Sequence, residues 1–287
     1  MNIRRLNPLV LALGIFVISS CGRGEPASET GSGSGAKTSV VTGTVSLSGS
    51  STIAPLVAEL GKRFESLHPG ARVNVETGGS SRGITDARSG QVDVGMVSRS
   101  LKPDETDLTA HLIARDGIAM IVNAGVKVNE LSREQIIGIY TGTITNWKGV
   151  NGVDQVISVV NKAEGHSTLE LFLHHFGLKA PEIKASVVIG DNQQGIKSVA
   201  SIPGAIGYVS IGSAETAVAE GTAIRLLPLG GVQASTVNVF NGTFPLSRDL
   251  NLVTKGTPSG AVRAFIEFCR SAEADSTIRE LFFVPLH

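Results

Sequence analysis

Residues 76–99 read ETGGSSRGITDARSGQVDVGMVSR, and this stretch decides the fold class. It is entered from Ala71–Glu76, an alternating apolar and polar run that reads as a strand. Gly78-Gly79-Ser80-Ser81 then breaks the pattern as a turn, and Ile84–Arg88 supplies at least one helical turn. Val92–Val97 is a short apolar run that reads as a buried strand. Strand, hydroxyl-rich turn, helix and strand in close succession mark an α/β chain.

The same alternation extends outward. Val45-Ser46-Leu47 reads as a strand, and Ile53, Leu56, Val57, Leu60 and Phe64 recur at helical spacing. Gly117–Asn123 is a long apolar strand suited to crossing between lobes. Ser132 with Gln135 forms a capping box that opens a helix through Tyr140. Gln155–Val160 is a strand, Leu169, Phe172, Leu173 and Phe176 form a helical stripe, and Gln194–Ala200 is a helix. Ala205–Val209 and Leu250–Thr254 are strands, the second returning to the first lobe, and a helix follows over 259–270. There is no internal repeat. One long excursion that leaves and re-enters a lobe predicts two lobes around a cleft, a common ligand site. The boundaries fall at 44–123 with 247–287 for lobe 1, and 124–246 for lobe 2.

Three hydroxyl-rich segments stand where strands give way to helices: Gly49-Ser50-Ser51-Thr52, Gly78–Gly83, and Glu164-Gly165-His166-Ser167-Thr168. A helix N-terminus offers unpaired N–H groups and the positive end of the macrodipole. Glycine lets an anion approach the backbone, and hydroxyls add donors. Each turn also has a local explanation. Ser51 fits an N-cap before Pro55, and Ser167 with Glu170 fits a second capping box. Capping accounts for one hydroxyl per turn; three such turns predict convergence on one small oxyanion. Lys162 would supply a point charge, and a neutral His166 one hydrogen bond. Arg99 would add a charge-assisted fork, with Arg82 a further cation.

Other motifs are weaker. Gly79-Ser80-Ser81-Arg82-Gly83 matches a nucleophile elbow, so an α/β hydrolase with Ser81 as nucleophile is an alternative. That reading needs an acid and then a histidine downstream. None of His111, His166, His174, His175 or His287 sits in a loop after a late strand with a preceding acid. Gly190–Ser198 approaches a phosphate-binding loop, but Ile196 separates Gly195 from Lys197 and the spacing fails.

Composition bounds the rest. The 287 residues suffice for two lobes, and 41% hydrophobic against 17% charged residues favours a folded core. Zero net charge excludes a typical nucleic-acid binder, but local dipoles hold anions without net charge. Arg4 and Arg5 precede an apolar run, Leu9–Ile18, too short to span a bilayer. Ile18-Ser19-Ser20-Cys21 then resembles a bacterial lipobox, with Cys21 as the lipidated residue and 1–21 as the signal peptide. Residues 22–43, rich in Gly, Ser and Thr, read as a flexible linker. With Cys21 lipidated, Cys269 is unpaired and reads as a buried small hydrophobe. No Cys/His spacing suggests a metal, and no cofactor is implied.

GSSTIAPLVAEL, ETGGSSRGITDARSGQVDVGMVSR, LSREQIIGIYTGTITNWK, PGAIGYVSIG and FPLSRDLNLVT follow in this order. Together they resemble the phosphate-binding lipoproteins of high-affinity phosphate ABC transporters, over about residues 44–270. The resemblance implies a two-lobed type II periplasmic-binding-protein fold with two crossing strands as hinge. It also implies no catalysis, a permease and ATPase as partners, and a monomer on the outer face of a bacterial membrane. By motif, the family's anion contacts fall on Ser51, Thr52, Ser80 and Ser98. In the third turn Lys162 stands where the family has arginine, His166 where it has serine, Ser167 where it has glycine, and Thr168 is retained. Some members carry Asp at the position of Ser98, where it accepts the hydrogen of protonated phosphate. Glu164 is a candidate replacement. Sulfate and molybdate remain alternative ligands, and sensing or adhesion an alternative use of the fold.

Overall fold

The computed structural model describes residues 40–287. The expected signal peptide, Cys21 and residues 22–39 of the linker lie outside the described residues. Strand β1 (Thr42–Gly49) begins two residues before the expected end of that linker. Its alternation buries Val45 and Leu47. Helix α1 (Ala54–Leu67) places Leu56, Val57, Leu60 and Phe64 in the core, as their spacing predicts. It carries Pro55 in its first turn, where the missing N–H costs nothing. Strand β2 (Gly70–Thr77), helix α2 (Ser80–Ser89) and strand β3 (Val94–Val97) follow. Strand β1 pairs in parallel with both β2 and β3.

The next strand, β4 (Thr109–Asn123), is twice as long as its apolar run suggests. Its first half pairs with the late strand β9 (Ser247–Thr254), from Thr109↔Thr254 to Gly117↔Ser247, with an irregularity between Leu112 and Ala114. Its second half pairs with β7 (Ala205–Ser210) and β8 (Ile224–Leu227). Strands β5 (Ser158–Lys162) and β6 (Val187–Ile189) extend the sheet beyond β7. The order is β2-β1-β3-β9-β4-β7-β5-β6. Thus β9, made late, lies between β3 and β4.

The main buried apolar residues form two clusters, with a small satellite around Val97 and Val253. One unites Val45–Ala114 with Leu250–Phe283. The other covers Ile118–Leu246 and Val284. These clusters define the two lobes, and β4 crosses between them around Asp116 and Gly117. The return crossing lies beside it, where the Ile118 amide donates to the Leu246 carbonyl at 2.9 Å. Ile118–Val122 pack in the second of the two clusters.

The second lobe carries α3 (Arg133–Tyr140), α4 (Ser167–Phe176), α5 (Asn192–Ser201), α6 (Ile211–Ala219) and the short α7 (Thr236–Phe240). The Ser132–Gln135 capping box is present. The other two expected caps are not. Helix α1 has Ile53 at its N-cap, and Ser51 lies in the turn before it. Helix α4 is capped by the backbone of His166, so Ser167 is its first residue. Glu170, in the first turn of α4, pairs instead with Lys102 of the first lobe at 3.1 Å. In the first lobe α8 (Gly260–Cys269) packs on β1, α9 (Asp275–Glu280) packs on α1, and the free Cys269 is fully buried.

Candidate functional site

The first two turns are built by glycines at strand ends. Gly49 closes β1 at φ +129°, and its carbonyl accepts the Gly78 and Gly79 amides at 2.9 Å each. Gly79, at φ +87°, caps α2, and a Cβ there would stand 2.7 Å from the Gly165 carbonyl. Only glycine combines that backbone with that closeness. The hydroxyls of Ser50, Ser80 and Ser98 then meet. Ser50 Oγ donates to Ser98 Oγ at 3.0 Å, and the Ser98 amide donates to Ser80 Oγ at 3.2 Å. All three residues are buried.

The third turn comes from the opposite lobe. The Ser81 amide donates across the cleft to the Gly165 carbonyl at 3.0 Å. Thr168 and Ser167 are buried in the first turn of α4, and Ser167 Oγ has no hydrogen-bond partner. A buried hydroxyl without a partner is costly unless a ligand satisfies it.

At the centre stands a residue the sequence reading did not select. Arg248, on β9, is the register partner of Asp116 on β4, so both sit on the crossing strands. Arg248 Nε and Nη2 donate to Asp116 Oδ2 at 3.0 and 2.8 Å, with both side chains 1% exposed. The Gly212 amide donates to Asp116 Oδ1 at 3.2 Å. Arg248 Nη1 reaches Thr168 Oγ1 at 2.9 Å and Ser98 Oγ at 3.4 Å, and Nη2 reaches Thr52 Oγ1 at 3.0 Å. One guanidinium thereby touches hydroxyls of both lobes.

Lys162, at the end of β5, is 1% exposed, and its Nζ donates to Asn192 Oδ1 at 3.0 Å. Asn192 Nδ2 donates back across the cleft to Thr52 Oγ1, also at 3.0 Å. Burial, reinforced by the Arg248 charge, lowers the Lys162 pKa to about 7. His166 is lowered by burial and then by Lys162, which favours its neutral form. Beyond Asn192 a cavity of about 210 Å³, lined by Ser51, Pro55, Asp191 and Ser213 among others, opens along the cleft.

The structure thus gathers Thr52, Ser80, Ser98, Lys162, Ser167 and Thr168, with Ser51 and His166 half-buried at the margin. Two expected cations are elsewhere. Arg82 points outward to Glu76, Asp86 and the Thr77 carbonyl. Arg99 is buried, but Glu105 takes its Nη1 and Nη2 at 2.8 Å each. Burial alone would lower the Arg99 pKa, and the Glu105 carboxylate more than reverses it. Glu164 is exposed. The buried carboxylate at the centre is Asp116, already engaged by Arg248 and Gly212.

The hydrolase alternative fails on geometry. Ser81 Oγ faces Glu170 Oε1 at 3.5 Å, and no histidine bonds to it among the described residues. No cluster of His, Cys, Asp and Glu able to hold a metal ion occurs among them either.

Arg248 and Asp116 eluded sequence reasoning because each stands in an Arg-Asp pair, Arg115-Asp116 or Arg248-Asp249, that carries no local motif. Only the β4–β9 register makes them a pair. Asn192 was passed over with the failed phosphate-loop pattern. Its usable signal was Asp191 as an N-cap, which does accept the Gln194 amide at 2.8 Å and so fixes the start of α5.

A family model described as the PBP superfamily domain matches residues 27–273. The chain belongs to the PBP superfamily. Among curated PBP-superfamily relatives, the phosphate-binding protein PstS of Bacillus subtilis is 27% identical over 274 residues, covering 94% of this chain and 89% of its own. A solved structure of a putative phosphate ABC transporter substrate-binding protein from Clostridium perfringens, with bound phosphate, is 30% identical. It superposes with a TM-score of 0.79 over 85% of this chain and 100% of its own. An ABC-type phosphate transport receptor from Vibrio cholerae matches at 30% identity and a TM-score of 0.68, over 84% and 99%. Within the PBP superfamily the chain is PstS-like.

Proposed function

We propose that this protein captures inorganic phosphate between its two lobes and delivers it to an ABC permease. The observation that carries this reading is the Arg248 guanidinium, fixed by Asp116 and facing hydroxyls from both lobes. Phosphate oxygens replace those hydroxyls as acceptors, and a fork of parallel N–H donors suits them. Thr52, Ser80, Ser98, Ser167 and Thr168 donate from strand ends and helix starts, where the backbone dipoles favour an anion. Lys162 supplies a second cation, while Ser51 and His166 line the approach. The named relatives are binding and transport proteins, and the function is capture without catalysis. Lobe 1 comprises both ends of the folded chain and lobe 2 the excursion between them. A lipid on Cys21 holds the protein, as a monomer, at the periplasmic or extracellular face of a bacterial membrane.

Calorimetric titration with phosphate, with sulfate as comparison, tests the reading. Capture from dilute medium requires a dissociation constant below roughly 100 µM, about −5.5 kcal/mol. Weaker phosphate binding, or equal binding of sulfate, overturns it.

A further inference from the structure

A second set of contacts joins the lobes outside the hydroxyl cluster. Glu170, in the first turn of α4, receives three groups from the first lobe. Lys102 Nζ lies 3.1 Å from Glu170 Oε2, and Ser81 Oγ lies 3.5 Å from Oε1. Arg99 Nε stands 3.2 Å from Oε2, an ion-pair separation without hydrogen-bond alignment. The Arg99 guanidinium and the backbone of Lys102 are held by the first lobe itself. Glu105 grips the Arg99 fork, accepts the Lys102 amide at 2.8 Å, and is itself buried. Arg99 also donates to the Ser100 carbonyl at 2.9 Å. The segment 99–105 therefore presents two cations, Arg99 braced by Glu105 and Lys102 on a fixed backbone, to one carboxylate of the other lobe. Glu170 and Lys102 keep 29% and 47% side-chain exposure, so the link is partly screened by salt.

We propose that Glu170, gripped by Arg99 and Lys102, is a positioning residue that clamps α4 onto the first lobe and sets how long the cleft stays closed on the anion. It makes no hydrogen bond to Thr52, Ser98, Lys162, Thr168 or Arg248. It acts through α4, whose preceding residues Ser167 and Thr168 belong to the donor set. Because these contacts do not involve the anion, they bias closure in its absence. A ligand that needs the closed form binds in proportion to the closed fraction. Strengthening closure lowers the release rate more than it raises capture. The affinity part of this proposal rests on the phosphate reading above; the closure part does not.

The test uses Glu170→Gln, Lys102→Met and their combination. Glu170→Gln is expected to weaken phosphate binding roughly three- to thirty-fold, through faster release. Lys102→Met has a smaller effect, Lys102→Arg restores it, and the double variant is no weaker than Glu170→Gln, because both remove one interaction. Spin labels at Leu67→Cys and Val188→Cys, exposed on opposite lobes, report the cleft directly. Without phosphate, Glu170→Gln shifts the distance distribution toward the open form. The proposal is overturned by an unchanged distribution, by affinity within twofold of the parent, or by weakening that leaves release unchanged. A shifted distribution in a protein that never binds phosphate supports the clamp and rejects phosphate as the ligand.

Discussion

Arg248 shows how a cation is kept ready in a dry cleft. An isolated buried charge is expensive, and Asp116 offsets that cost while leaving the outer edge of the fork for the ligand. Asp116→Asn should therefore destabilise the protein by about 3–5 kcal/mol, because it leaves the guanidinium uncompensated. Urea denaturation measures this; a loss below 1 kcal/mol contradicts the structural account. Lys162 behaves differently. Its pKa falls from the ordinary 10.5 to about 7 on folding. Between those values the unfolded chain binds the extra proton, so this residue makes stability rise as pH increases from 7 toward 10.5. Below pH 7 the full cost of burying the ammonium is present. Anion binding favours the charged form, so phosphate capture near and above pH 7 should draw in a proton. Calorimetry in buffers of different ionisation enthalpy detects this uptake, and Lys162→Met should abolish it.

Helix ends separate local stability from ligand binding. The α3 cap is local: Ser132→Ala should cost about 1 kcal/mol of stability and leave phosphate affinity unchanged. The α2 cap faces the other lobe. Gly79→Ala would push a methyl against the Gly165 carbonyl, so affinity should fall more than stability. Comparing unfolding with titration for the two variants checks the contrast. Helix ends also show what could be read in advance. The capping box of α3 was legible because its two partners are only three residues apart. The same pattern at Ser167 and Glu170 misled, because Glu170 found cations on the opposite lobe. The hydrophobic periodicity of α1 fixed its buried face. The length of β4 was hidden because Thr109–Asp116 carries His111, Arg115 and Asp116 on a strand whose partner is more than a hundred residues away. For the same reason four of the five hydroxyl donors, all but Ser98, were legible as turns, whereas Arg248 and Asn192 needed the assembled fold.

At the scale of the molecule, two cores joined by two strands make a cleft that can close as lobes move about the crossing. Gly117 lies at that crossing, where a Cβ would stand 2.5 Å from Ile211 Cδ1 and 3.0 Å from Val239 Cγ2. Binding only to the closed, folded form should stabilise the whole protein by about 2.7 kcal/mol at a phosphate concentration one hundred times the dissociation constant. Thermal melts with increasing phosphate check this, and an unmoved midpoint argues against a single linked site. The position of β9 has a temporal consequence. A ribosome delivers β3 and β4 long before the strand that separates them, so the first-lobe sheet stays split while all of the second lobe's core but Val284 is already made. The same late segment brings Arg248. A chain halted before Ser247 would expose two unsatisfied strand edges and lack its central cation, so the ability to bind arrives in the same step that seals the sheet.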